Sequence, residues 1–89
     1  MDTDRDTLFD FPCRFPVKAM GRDADDFEAT VVGIVRRHAP DLGEGAVSLQ
    51  PSRGGRFVSV TVTITATSRD QLDAIYNDLA AHDQVLMAL

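Results

Sequence analysis

Between Val58 and Thr67 apolar and hydroxyl side chains alternate without a break. Val58, Val60, Val62, Ile64 and Ala66 fall on one face, and Ser59, Thr61, Thr63, Thr65 and Thr67 fall on the other. A period of two is the mark of a strand with one face against a core. The strand is entered through Arg53-Gly54-Gly55-Arg56. A glycine pair suits a two-residue hairpin turn, because its backbone must take positive φ. With Gly54 and Gly55 as that turn, Arg53 opposes Arg56 and the pairing of the preceding segment is fixed. Pro51 then faces Val58, Leu49 faces Val60 and Val47 faces Val62, while Ser48 opposes Thr61 and Gln50 opposes Ser59. Every apolar residue lands on one face, and a slip by one position would mix the faces.

The chain leaves this strand through a helix start. Ser68 is the expected N-cap and Gln71, three residues on, completes a capping box that satisfies two otherwise unpaired amides. Leu72, Ile75, Tyr76 and Leu79 recur at helical spacing and form the buried stripe. A turn around His82-Asp83 releases Val85 to Leu89 as a last strand.

The N-terminal half repeats the pattern. Phe15, Val17 and Ala19 alternate with Arg14, Pro16 and Lys18, giving a first strand that should stop at Met20-Gly21, where glycine lets the backbone turn. Asp23 is the expected N-cap of a first helix, with Asp26 at its third position. Phe27, Val31, Ile34, Val35 and His38 share one face of that helix. Arg36, Arg37 and His38 place positive charge at its end, and Pro40 terminates it. Gly33 inside the helix implies close packing against the sheet, since glycine there otherwise weakens the helix.

The order strand, helix, strand, strand, helix, strand predicts an α+β, ferredoxin-like βαββαβ fold. Four antiparallel strands would lie in the order 4-1-3-2 with two helices on one face. The other face would show Arg14, Pro16, Lys18, Ser48, Gln50, Ser59, Thr61, Thr63, Thr65 and Leu86. Residues 1–10 read as a flexible acidic tail and 11–89 as one domain, which is all that 89 residues allow.

The chain carries a net charge of -5, so bulk electrostatics do not draw it to phosphate backbones. Arg53-Gly54-Gly55-Arg56-Phe57-Val58 matches part of an RNA-recognition motif, but Gly55 replaces the first stacking aromatic, which argues against nucleic acid. One cysteine, Cys13, can form no internal disulfide. No apolar run approaches the length of a membrane span, and the acidic start is not of signal-peptide type, so a cytoplasmic location is expected. No metal-ligand spacing, phosphate-cradling glycine loop or nucleophile-base arrangement is present, so neither catalysis nor a cofactor is expected.

Phe11-Pro12, Val17-Lys18-Ala19-Met20-Gly21, Arg37-His38-Ala39-Pro40, Pro51-Ser52, the strand Ser59 to Thr67 and Val85-Leu86-Met87-Ala88-Leu89 together resemble the YbeD-like family of small bacterial proteins. The resemblance covers about residues 9 to 89. The fold of that family is similar to the amino-acid-binding ACT domain. It implies a regulatory module that senses a small metabolite or binds a protein partner, with no catalytic residues to carry across.

Two candidate sites follow. An ACT-like ligand site would use the first strand-helix connection, Met20, Gly21, Arg22, Asp23 and Asp25. There Gly21 allows close approach and the helix-start amides could hold a carboxylate. A partner surface would combine Lys18, Arg37, His38, Arg53, Arg56, Phe57, Ser59, Thr61 and Thr63. Self-association through the open sheet face or the C-terminal strand, as in a homodimer, is the alternative mode, because Pro51 blunts the other edge.

Overall fold

Cys13, Phe15, Val17 and Ala19 take every second position of Cys13–Arg22, and the segment forms a ten-residue strand, β1. The remaining elements of the computed structural model, which describes residues 10–43 and 45–89, follow in the expected order. They are α1 (Phe27–His38), β2 (Val47–Pro51), β3 (Phe57–Ala66), α2 (Arg69–Ala81) and β4 (Val85–Ala88). The acidic tail, apart from Asp10, lies outside the described residues. All strand pairs are antiparallel, and the sheet runs β2-β3-β1-β4, the expected order counted from the other edge. Both helices pack on one face. Val17, Ala19, Val60, Val62 and Ile64 of the sheet meet Phe27, Val31, Ile34 and Val35 of α1 and Leu72, Ile75 and Leu79 of α2. Burying each larger side chain of this set stabilises the fold by about 1.5–3 kcal/mol relative to exposure.

The β2-β3 register is the one the alternation dictates, with Val47 opposite Val62, Leu49 opposite Val60 and Pro51 opposite Val58. The turn that sets it is longer than expected. Arg53 and Arg56 do not pair; instead Gly55 N donates to Ser52 O at 3.0 Å and Ser52 N donates to Phe57 O at 2.8 Å. Gly54 and Gly55 take φ of 90° and 73° within a four-residue loop, conformations that side chains disfavour. Loop and two-residue turn close the same register, because the loop adds one residue to each side.

Three other expectations are corrected. β1 does not stop at Met20-Gly21 but pairs on to Arg22, opposite Phe57. Asp23 accordingly does not cap α1. Its amide donates to Arg56 O at 2.9 Å, and the helix begins after Asp26, whose side chain makes no cap bond. Gly33 does not pack against the sheet: it is exposed, and a Cβ built there meets nothing within 4 Å. The apolar face of β2 is only partly covered, since Val47 is half-buried and Leu49 is 50% exposed. The helices lie over β1, β3 and β4, so the edge strand β2 projects beyond them.

At the start of α2, Ser68 Oγ accepts from Gln71 N at 3.1 Å, as expected of the N-cap. The reciprocal bond differs: Gln71 Oε1 takes the amide of Thr67, at 2.7 Å, rather than that of Ser68. Gln71 Nε2 also donates to His38 O at 2.7 Å, which ties the end of α1 to the start of α2.

Candidate interaction surface

The strand period places even-numbered residues of β1 and β2 and odd-numbered residues of β3 on the face away from the helices. Arg14, Pro16, Lys18, Ser48, Gln50 and Thr65 are exposed there, with Phe57, Ser59, Thr61, Thr63 and Met20 half-exposed. β4 adds apolar surface. Met87 pairs with Met20, and Leu89 exchanges backbone bonds with Lys18 at 2.8 and 3.1 Å, so both belong to the open face. They are 52% and 65% exposed. Leu86, expected on this face, is instead the extra residue of a bulge between Met20 and Gly21 of the β1-β4 ladder. It borders a cleft of about 390 Å³ beside Tyr76 and Ala80 of α2.

Charge on this surface has one sign. None of the chain's 14 acids lies in any of the four strands, whereas β1 carries Arg14, Lys18 and Arg22 on the open face. Arg53 and Arg56 stand at the hairpin end of the same sheet, exposed. An acid-base contact, between His38 Nε2 and Asp78 Oδ2 at 2.7 Å, lies elsewhere, between the helices. Among the described residues the cations of the sheet have no carboxylate partner.

The structure brings Lys18, Phe57, Ser59, Thr61 and Thr63 together, with Arg53 and Arg56 at one end. It does not bring Arg37 and His38 to them. Those two end α1 in the other layer, where Arg37 is exposed and the half-buried His38 ring donates to Asp78 of α2. The backbone of His38 lies beside the start of α2, where its carbonyl accepts from Gln71 Nε2, but its ring reaches Asp78, one helical turn before His82. Cys13 packs at the margin of the core, half-buried.

The residues of the expected ligand site are spread along an extended strand. Met20 lies on the open face and Gly21 faces the helices. The space that Gly21 leaves is occupied from within: a Cβ would fall on the ring of Phe27 and within 2.5 Å of Gln84 O. The glycine therefore admits the protein's own core. Arg22, Asp23 and Asp25 are exposed beyond it. Among the described residues no group of His, Cys, Asp or Glu has the geometry to hold a metal ion. Among the described residues no buried side-chain polar atom lacks a partner. No helix of the described residues is long and apolar enough to cross a membrane.

The sequence pattern located the hydroxyl rows and Lys18. It also placed Arg14 there, but missed Met20, Met87, Leu89 and Arg22 as one surface with them. For Met20 and Arg22 the available signal was the parity of β1; Met87 and Leu89 are placed by the pairing of Leu89 with Lys18, which the sequence does not show.

These features define a ferredoxin-like, split β-α-β domain with one sheet face bare. The chain belongs to the family described as "Protein of unknown function (DUF493)", whose model matches residues 6–89. A UPF0250 protein of Chromobacterium violaceum is 54% identical over 89 residues, covering 100% of both chains. A second, from Pseudomonas paraeruginosa, is 51% identical over 81 residues, covering 90% of this chain and 87% of that one. The solution structure of protein HP0495 from H. pylori superposes with a TM-score of 0.68 at 15% identity, over 91% of this chain and 85% of that one, which supports the fold.

Proposed function

We propose that the chain is a small regulatory module that works by binding a protein partner across the open face of its sheet, without catalysis. The observation that carries this reading is the bare sheet itself. Four strands present a continuous surface of hydroxyls, cations with no carboxylate partner among the described residues, and exposed Met87 and Leu89, while both helices cover the opposite side. Large apolar side chains left in solvent beside polar ones are what a protein-binding surface offers. The Met20–Asp25 connection supports a metabolite less well, because Phe27 and Gln84 fill the space at Gly21. Affinity purification from the organism's own extract tests the proposal with three baits. A partner retained by the parent chain and by Arg37→Glu, on the helix layer, should be lost with Thr61→Glu, on the open face. Equal recovery with all three baits would refute it.

A second reading, self-association, is favoured by one observation. The edge strand β4 and the residue that follows it leave Leu86, Met87 and Leu89 all more than half exposed, with no charged side chain among them. Sedimentation at rising concentration decides it: a monomer throughout the micromolar range removes a homodimer.

A further inference from the structure

The open face carries more information than that it binds. We infer that its partner is an acidic polypeptide segment with a large apolar anchor; the inference rests on the protein-binding reading above. The four strands contain no Asp or Glu, although acids outnumber bases 14 to 9 in the chain. The sheet has thus been kept free of negative charge while the rest of the molecule has not. Arg14, Lys18 and Arg22 recur at every fourth residue of β1, hence on one side of the strand and about 13 Å apart. A row of about 27 Å from end to end is too long for one compact anion and fits an extended chain bearing spaced carboxylates.

The row also has an apolar neighbour. Leu89 stands opposite Lys18, and Met87 stands opposite Met20 between Lys18 and Arg22. Methionine and leucine side chains there suit an aliphatic or aromatic residue, and methionine adapts to either. A nucleic acid meets this surface poorly. Phe57 is the sole aromatic side chain on the described sheet face and is half-buried, and a polymer charged at every unit is repelled by the net charge of -5. An acidic peptide carries fewer charges, and its attraction to the row acts within a screening length of about 10 Å.

Site-specific photocrosslinking in the native cell tests this. A benzophenone amino acid replaces Thr61 or Met87 on the open face, or Ala29 on the exposed side of α1, and crosslinked peptides are sequenced by mass spectrometry. Crosslinks from Thr61 and Met87, but not Ala29, should land on a protein segment of net negative charge containing large apolar residues. Combining Lys18→Glu with Arg22→Glu should lower their yield about tenfold, the equivalent of losing two charge contacts. The thermal melt of that variant should stay that of the parent, since both residues are exposed. Crosslinks to a neutral or basic protein segment would overturn the acidic partner and leave the protein-binding reading standing. Crosslinks to RNA, or none at all, would overturn both. Crosslinks between two copies of the chain would leave self-association alone.

Discussion

The ring of Phe27, at the first position of α1, lies in the space where a side chain at Gly21 of β1 would stand. Phe27 is 1% exposed, so this contact is at the centre of the core and not at its margin. It explains why β1 continues straight through a glycine that local pattern reads as a turn. A β-carbon would collide with the ring and also with Gln84 O, a backbone atom fixed by the turn into β4. Gly21→Ala should therefore destabilise the fold by about 1–3 kcal/mol, as overpacking does, and Gly21→Val by more. Denaturant melts measure this. A Gly21→Ala chain as stable as the parent would show that the ring can move aside freely.

Gly33 is the opposite case. It is exposed in the middle of α1, and a Cβ there meets nothing within 4 Å. Only the entropy and helix-propensity terms remain, so Gly33→Ala should stabilise the protein by about 0.5–1 kcal/mol. The melting temperature should rise, and a fall would mean that another chain covers this position.

Gln71 makes two connections with one side chain. Its Oε1 accepts from Thr67 N and its Nε2 donates to His38 O, both at 2.7 Å. Gln71→Ala removes a helix-start acceptor and the link between helices, and should cost about 1–2 kcal/mol. Gln71→Glu keeps the acceptor and loses the donor, so its stability in the same urea melt should fall between the two. If Glu proves as damaging as Ala, the cap contributes little and the link to His38 dominates.

What the sequence made legible follows from range. The β2-β3 register could be read because it needs a turn and two short alternations within about twenty residues of one another. Lys18, Ser59, Thr61 and Thr63 were placed on one surface by the same period, and they share it. The start of α1 could not be read: Asp23 has the residue type of a cap, but its amide is taken by Arg56 O on the hairpin, a contact thirty-three residues away. Met87 and Leu89 were missed because the bulge opposite Met20 and Gly21 shifts parity in β4, and a bulge has no signature in four apolar residues. Arg37 and His38 were grouped with the sheet because they belong to the family resemblance, though a helix end belongs to the other layer.

Tyr76 gives the fold a measurable alkaline response. It is the chain's single tyrosine, and there is no tryptophan, so tyrosinate absorbance reports this residue alone. Its hydroxyl donates to Leu89 O at 2.7 Å, holding the end of the chain beside α2, and burial raises its pKa above the ordinary value of 10.0. The unfolded chain then releases the tyrosine proton at lower pH than the folded one. The stabilisation from the neutral phenol is complete below pH 10.0 and is lost as pH rises from there through the folded-state pKa. Spectrophotometric titration of the native protein should show a midpoint above that of the urea-unfolded chain. Tyr76→Phe removes one hydrogen bond and should cost about 1 kcal/mol at neutral pH. Its deficit relative to the parent should shrink above pH 10.0, because only the parent has a phenol to ionise. Coincident midpoints for folded and unfolded chains would show that the phenol is as well solvated in the fold as out of it, and that Leu89 is not held there.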